Sequence, residues 1–162
     1  MLSKINIEGQ RGVTDTTVSS LAYDSREVKE GALFFALRGL HTDGHRFIPQ
    51  VIEQGAAAIV CMEFPRVIDP RIAYIKVGDS RTVMSPLAAG FYGDPSSELF
   101  VIGVTGTDGK STTGYFIQQL LRQRGKKTGL LTTVQFDLGT NTMKNYLRQS
   151  TPEATEIHRL LR

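Results

Sequence analysis

The segment from Phe100 to Val134 constrains the fold of this 162-residue chain more than any other part of the sequence. An apolar run, Phe100–Val104, leads into a glycine-rich loop, and apolar side chains then recur with the period of a helix until Gly125. A second apolar stretch, Thr128–Val134, follows. This order predicts a buried strand, a loop, an amphipathic helix and a second strand parallel to the first, because the helix carries the chain back across the sheet. The helical stripe, which we expect in the core, consists of Tyr115, Phe116, Ile117, Leu120 and Leu121.

The first 97 residues alternate between strand and helix patterns. Apolar runs of strand length occupy Val18–Tyr23, Ala32–Leu37, Ala56–Met62 and Ile72–Val77. Helices are predicted at 47–54, closed by Gly55, and at 79–92, capped by Asp79 or Ser80. Strand, helix and strand at this spacing indicate βαβ units.

A polar stretch, Gly93–Glu98, separates the two halves, and its Pro95 cannot continue a helix. We place a domain boundary there, with one domain at 1–97 and an incomplete second domain at 98–162. A last helix is predicted from about Pro152, with Ala154, Ile157, Leu160 and Leu161 on one face. The predicted fold class is α/β: a small N-terminal α/β domain followed by the start of a parallel-sheet, phosphate-loop domain.

The glycine-rich loop carries the strongest chemical signal. A loop between a strand and a helix points backbone N–H groups and the positive end of the helix dipole at one spot, which favours phosphate. Gly106 and Gly109 permit a close approach of the backbone. Lys110 is expected to reach the β- and γ-phosphates of a nucleotide, Ser111 to ligate Mg²⁺, and Thr112 to contact the α-phosphate.

The loop departs from the strict phosphate-loop pattern. That pattern has a glycine five residues before the second glycine, where this chain has Val104, with Gly103 one residue earlier. Gly-x-x-Gly-Lys-Ser is what remains of the pattern. The structural alternative is a glycine turn followed by a surface lysine.

Composition and charge exclude several classes of protein. A membrane span requires a run of about 18 apolar residues, and the sequence contains none. The first residues also lack the apolar stretch of a secretory signal. The single cysteine, Cys61, lies in an apolar run, which indicates a buried reduced thiol and a cytoplasmic protein. The last 65 residues carry 9 Lys and Arg against 5 Asp and Glu, which suits a phosphate-rich ligand. Without aromatic residues interleaved among these charges, nucleic acid is not an expected partner.

Three motifs resemble segments of one family. Thr105–Thr113 is similar to the ATP loop of the Mur ligases and of the related folylpolyglutamate synthetases, with Asp108 where the family usually has Asn. Asp24–Gly39, continued by Asp43–Ile48 and Gly55–Val60, resembles the N-terminal domain shared by two Mur ligases, which the folylpolyglutamate synthetases lack. Gln149–Glu153 resembles the Asn-Thr-Thr-Pro-Glu segment of the ligases that add the third residue of the stem peptide.

The resemblance implies a role for each matching residue. The expected contacts of the UDP precursor are Tyr23, Ser25, Leu40, His41, Thr42, Gln149, Ser150 and Thr151, and the expected nucleotide contacts are Gly106, Thr107, Asp108, Gly109, Lys110, Ser111 and Thr112. Lys110 is the expected catalytic residue and Ser111 the expected metal ligand.

Structural roles compete with several of these assignments. Ser25 is also typical of a turn after a strand, and His41 is also typical of a solvated loop. The pattern Ser150-x-x-Glu153 also fits a capping box at the start of a helix. Asp24 and Arg26 are expected to form a structural pair.

The implied activity is ATP-dependent amide formation with ATP and Mg²⁺ as cofactors. A carboxylate of UDP-N-acetylmuramoyl-dipeptide is phosphorylated, and the amine of an amino acid then attacks the acyl phosphate. The resemblance also implies that the middle domain continues past Arg162, so we expect a monomeric fragment that binds nucleotide and UDP-sugar but lacks ligase turnover. The alternatives are the related ligase that adds D-Ala-D-Ala, a non-catalytic nucleotide- or UDP-sugar-binding module, and a phosphate-loop ATPase or kinase without a role in cell-wall synthesis.

Overall fold

The computed structural model describes residues 2–39, 42–145 and 151–162. The chain divides into two compact units, Met1–Asp94 and Pro95–Arg162. The predicted site residues Leu40, His41, Gln149 and Ser150 lie outside the described residues.

The first unit is built on a five-stranded sheet in the order β1-β5-β4-β3-β2. Its strands are β1 Gly9–Gly12, β2 Ser20–Ala22, β3 Ala32–Phe35, β4 Ala58–Cys61 and β5 Ala73–Lys76. Strands β2 to β5 pair in parallel, and β1 lies antiparallel to β5 at one edge. The predicted α/β class and the four predicted strands are confirmed, and β1 is an additional edge strand.

Helices bury both faces of this sheet. Helix α1, Ile48–Glu53, follows a short 3-10 helix, Gly44–Phe47, and its Ile48 and Val51 belong to the core cluster that contains Phe34 and Ile59. Helix α2, Ser80–Tyr92, contacts β3 and contributes buried side chains including Met84 and Leu87. Because both faces are covered, β3 and β4 are continuous apolar runs without polar alternation.

The ends of α2 follow from two residues. Asp79 caps the helix by accepting the N–H groups of Arg81 at 2.9 Å and of Thr82 at 3.3 Å. Gly93, in the left-handed region at φ 78°, ends it. The predicted span of the helix is confirmed, and the glycine ends it ahead of Pro95.

In the second unit, the predicted buried strand at Phe100–Val104 is wrong. The segment is irregular, and Phe100 is 91% exposed. A buried parallel strand needs hydrogen-bonded neighbours and a covered face, and none of the described strands of this unit pairs with it.

The predicted parallel strand at Thr128–Val134 is also wrong. Strand β6 is only Leu130–Leu131, and it forms an antiparallel sheet with β7, Gln135–Asp137, and β8, Thr142–Lys144. The Thr132 hydroxyl donates to the carbonyl of Gln135 at 3.0 Å and accepts the Gln135 N–H at 3.2 Å. These bonds close a local turn, so the chain doubles back at once.

The predicted helix after the loop is confirmed as α3, Lys110–Gln123, but its apolar stripe does not lie in a core. Tyr115, Phe116 and Leu120 are exposed, whereas Gln118 is buried. The polar face is buried because Gln118 Nε2 donates to Asp137 Oδ2 on β7 at 3.1 Å.

Helix α4, Ala154–Leu161, confirms the predicted last helix. It buries Thr155 and His158, so the expected apolar face is wrong. The N-cap of α4 is Glu153. A capping box at Ser150-x-x-Glu153 would place Glu153 at the third position inside the helix, so this alternative is also wrong. Helix α4 contacts the short 3-10 helix Pro95–Glu98.

Candidate functional site

A groove of about 520 Å³ lies in the first unit beyond the carboxyl ends of β2 and β3. Its lining residues are Tyr23, Asp24, Ser25, Arg26, Leu37, Gly39, Thr42, Gly44, Phe47 and Gln50. Ligands of parallel α/β sheets bind at this edge, because loops and helix starts meet there. The structure therefore brings together three of the residues predicted to contact the UDP precursor: Tyr23, Ser25 and Thr42.

A capped turn positions Ser25. Residues Ser25–Glu27 form a 3-10 helix, and Asp24 Oδ1 accepts both the backbone N–H and the Nε–H of Arg26 at 2.9 Å. The hydrogen bonds from the Arg26 guanidinium hold the pKa of the Asp24 carboxyl below its usual range. The predicted structural pair is confirmed, and it keeps the buried Ser25 fixed at the wall of the groove.

In the second unit, the glycine-rich loop adopts backbone conformations that favour glycine. Gly106 has φ 151° and Gly109 has φ 73°, in the region that side chains disfavour. Gly109 is the N-cap of α3, and no side chain caps the first turn. The N–H groups at this helix start therefore stay available to an external acceptor.

Lys110 closes over the loop. Its Nζ donates to the carbonyl oxygens of Gly106 at 2.7 Å and Thr107 at 2.8 Å. The ammonium group is thus held against the loop where we expect phosphate to bind. The loop residues from Thr105 to Gly109 are exposed, so a large anion has access.

Ser111 is suited to one position in the coordination shell of Mg²⁺. Its Oγ lies 3.4 Å from Thr133 Oγ1, so two hydroxyl groups meet beside the loop. Within the part of the chain that the structure describes, no group of three His, Cys, Asp or Glu side chains is placed to hold a metal ion. Mg²⁺ commonly keeps waters and phosphate oxygens and takes few protein ligands, so this donor set fits an ion that arrives with a nucleotide.

Other predicted residues lie outside these two arrangements. Thr151 is exposed ahead of α4. Cys61 is fully buried, and burial raises the pKa of its thiol to about 11, so the predicted buried thiol is confirmed. Over the described residues, no helix has both the length and the apolar character needed to cross a bilayer.

Sequence reasoning missed part of each arrangement. Gly39, Phe47 and Gln50 line the groove, but no pattern distinguishes them from ordinary loop and helix residues. Thr133 was overlooked because the prediction placed it in a strand, whereas the turn at Thr132–Gln135 brings it to Ser111.

The fold defines the chain as an α/β protein with a mixed, mostly parallel sheet in its first unit. Two family models match it: the Mur ligase family, catalytic domain, over residues 17–92, and the Mur ligase middle domain over residues 104–162. The chain belongs to the Mur ligase family.

Individual relatives agree with this membership. The chain is 48% identical over 147 residues to the UDP-N-acetylmuramyl-tripeptide synthetase of Roseiflexus sp. (strain RS-1), which covers 90% of this chain and 28% of the relative. It is 39% identical over 162 residues to the UDP-N-acetylmuramoyl-L-alanyl-D-glutamate--2,6-diaminopimelate ligase of Cytophaga hutchinsonii, over 99% of this chain and 33% of the relative. The crystal structure of the MurF ligase from Thermotoga maritima in complex with ADP matches with a TM-score of 0.54 at 31% identity, over 69% of this chain and 25% of that chain. The chain spans a third or less of the length of these proteins.

Proposed function

We propose that this chain supplies the nucleotide and UDP-precursor sites of an ATP-dependent amide ligase in peptidoglycan precursor synthesis. The ligase adds the third amino acid to UDP-N-acetylmuramoyl-L-Ala-D-Glu. The observation that carries the proposal is the presence, in one Mur ligase chain, of the groove at Ser25 and of the glycine-rich loop ahead of α3. The two relatives, a UDP-N-acetylmuramyl-tripeptide synthetase and a UDP-N-acetylmuramoyl-L-alanyl-D-glutamate--2,6-diaminopimelate ligase, support this substrate class.

Lys110 has the main electrostatic role in this proposal. When ATP binds, its ammonium group exchanges the carbonyl oxygens of Gly106 and Thr107 for phosphate oxygens and offsets the charge that develops during phosphoryl transfer. The N–H groups at the start of α3 hold the same phosphates. Ser111 is one ligand of Mg²⁺, which supplies further charge neutralisation when bound.

The proposed reaction proceeds in two steps. The γ-phosphoryl group of ATP moves to the D-Glu carboxylate, which forms an acyl phosphate and ADP. The amine of the incoming amino acid then attacks the acyl carbon, and phosphate leaves as the amide bond forms. The groove at Tyr23, Ser25 and Thr42 holds the UDP end of the precursor, and Leu40, His41, Gln149, Ser150 and Thr151 remain predicted contacts. Both ATP and UDP-linked precursors are cytoplasmic, so we place the reaction there.

The related ligase that adds D-Ala-D-Ala is the second candidate. The 31% identity to the MurF ligase favours it over less similar classes. The two candidates differ in the length of the peptide that the precursor carries. Calorimetry with UDP-N-acetylmuramoyl-dipeptide and the corresponding tripeptide distinguishes them, because only the correct acceptor gains affinity over UDP alone.

Titration of the labelled chain with ATP and magnesium tests the nucleotide site. We expect the backbone NMR signals of residues 106–112 to shift, and Lys110→Met to weaken binding about 10- to 100-fold, since a hydrogen bond to a charged group contributes about 1.5–3 kcal/mol. Lys126→Met is the matched control, because it removes an exposed lysine of the same unit beyond the end of α3. Unchanged signals at residues 106–112 in a folded sample would contradict the ligase assignment.

A further inference from the structure

Backbone hydrogen bonds join the residues that precede the turn after β3 to the residues that follow it. Arg38 and Asp43 form an isolated antiparallel bridge. The Gly39 N–H donates to the carbonyl of Thr42 at 2.9 Å, and the Gly44 N–H donates to the carbonyl of Leu37 at 2.7 Å. Three of these residues, Gly39, Thr42 and Gly44, line the groove.

Asp43 and His45 reinforce this turn through their side chains, although neither lines the groove. Asp43 Oδ1 accepts the backbone N–H of His45 at 2.9 Å and lies 2.6 Å from His45 Nδ1. At the outer side, Asp43 Oδ2 lies 3.6 Å from Arg38 Nε, and Arg38 Nη2 donates to Glu63 Oε1 at 2.6 Å.

The imidazole of His45 connects the turn to the neighbouring strand. The Met62 N–H, one residue past β4, donates to His45 Nε2 at 2.9 Å. Since Nε2 accepts, Nδ1 carries the proton and donates to Asp43, which defines one neutral tautomer. The side chain of His45 is only 14% exposed, so the imidazole itself is largely shielded from water, whereas the side chain of Asp43 is 40% exposed.

The backbone is closely packed at Gly44. A Cβ at Gly44 would lie 2.7 Å from the nitrogen and 2.8 Å from the oxygen of Leu37. The chain therefore has to pass directly over the end of β3. Asp43 and His45, on either side of Gly44, fix that path through side chains that do not line the groove.

We propose that Asp43 and His45 are positioning residues for the UDP-precursor groove. They hold Thr42 and Gly44 at its wall by tying the turn after β3 to the end of β4. This inference rests on the proposed function for its ligand, a uridine diphosphate group, and extends it to two residues that do not contact that ligand.

Calorimetry with UDP on His45→Ala and Asp43→Ala tests the proposal. Each variant loses two of the side-chain hydrogen bonds that hold this part of the groove wall, so we expect UDP binding to weaken about 10-fold. Binding of ATP with magnesium should stay within about twofold, because its site lies in the other unit. His45→Gln retains an amide oxygen that can accept the Met62 N–H, and should recover part of the lost affinity. Glu63→Gln is the matched control, since it removes only the outer, exposed ion pair and should change UDP binding by less than about twofold.

Amide hydrogen exchange gives a second, ligand-independent measurement. In His45→Ala we expect faster exchange at Met62, Gly39 and Gly44, with the rest of the sheet protected as in the wild type. Wild-type affinity for UDP in His45→Ala would overturn the positioning role. If the wild-type chain itself does not bind UDP, the proposed function fails. Unchanged amide exchange at Gly39 and Gly44 in His45→Ala would overturn this inference separately, because that measurement needs no ligand.

Discussion

Asp137 is the acceptor that connects β7 to α3, and replacing it with alanine should destabilise the second unit selectively. The residue as a whole is 8% exposed, and its carboxylate accepts hydrogen bonds from Gln118 at 3.1 Å, from Arg122 Nη2 at 2.9 and 3.0 Å, and from the Gly139 N–H at 2.8 Å. Burial acts to raise the pKa of this carboxyl, but the bonds from Gly139, Arg122 and Gln118 outweigh it and hold the pKa below its usual range.

The size of the effect follows from what each partner loses. A hydrogen bond between charged groups contributes about 1.5–3 kcal/mol, and a buried amide left without its acceptor costs about 1–3 kcal/mol. Arg122 has a side chain that is 36% exposed and regains water, which reduces the loss on that side. We therefore expect Asp137→Ala to lower the free energy of unfolding by about 3–4 kcal/mol. A unit of this size is stabilised by about 3–10 kcal/mol, so the substitution would remove roughly a third or more of its stability.

Urea titration followed by NMR measures the two units separately. In Asp137→Ala the signals of α3 should vanish at lower urea than in the wild type, while those of β3 and β4 keep their midpoint. Asp108→Ala is the matched control, because it removes an exposed acid of the same unit and should change the free energy of unfolding by less than about 0.5 kcal/mol. A loss below about 1 kcal/mol for Asp137→Ala, with α3 signals intact, would refute the reasoning.

Two further predictions concern the first unit. The hydrogen bond from the Arg71 side chain lowers the pKa of Asp69 to about 2. The contribution of Asp69 to the free energy of unfolding is therefore complete above the unfolded pKa of about 3.9 and is lost as the pH falls toward 2. In acid titrations, the free energy of unfolding should fall less steeply in Asp69→Asn than in the wild type, and identical curves would contradict this. Gly12→Ala should destabilise the unit by more than about 2 kcal/mol, since φ is 74° and a Cβ would lie 1.9 Å from the carbonyl oxygen of Ile72. Gly93→Ala, at φ 78° but with no neighbour within 4 Å, should cost only about 1 kcal/mol in the same denaturation assay, and equal losses would refute the steric argument.

The strands of the first unit were predictable because their pattern is local and unambiguous. Ala32–Phe35 and Ala58–Cys61 are short apolar runs that follow Gly31 and Gly55, and burial on both faces of the sheet requires such runs. Strand β1, with the sequence Gly-Gln-Arg-Gly, has no apolar alternation, and only its pairing with β5 makes it a strand.

The second unit shows where sequence patterns fail. An apolar run such as Phe100–Val104 indicates a tendency to be buried, but it does not indicate which strand the segment pairs with. The choice between parallel and antiparallel pairing depended on the turn at Thr132 and on the polar contact between Gln118 and Asp137, neither of which has a periodic signal. The groove was predictable at Tyr23, Ser25 and Thr42 only through resemblance, while the contribution of His45 depends on its distance to Met62.

The edge strand β1 has a consequence for how the first unit behaves in concentrated solution. An uncovered sheet edge can recruit a strand from another molecule and seed intermolecular assembly. Here the outer edge of β5 is already occupied by β1, a four-residue strand whose Arg11 is exposed, and the opposite edge strand, β2, has only three residues. Edge strands this short, one of them with an exposed charge, disfavour the growth of a sheet from one molecule into the next.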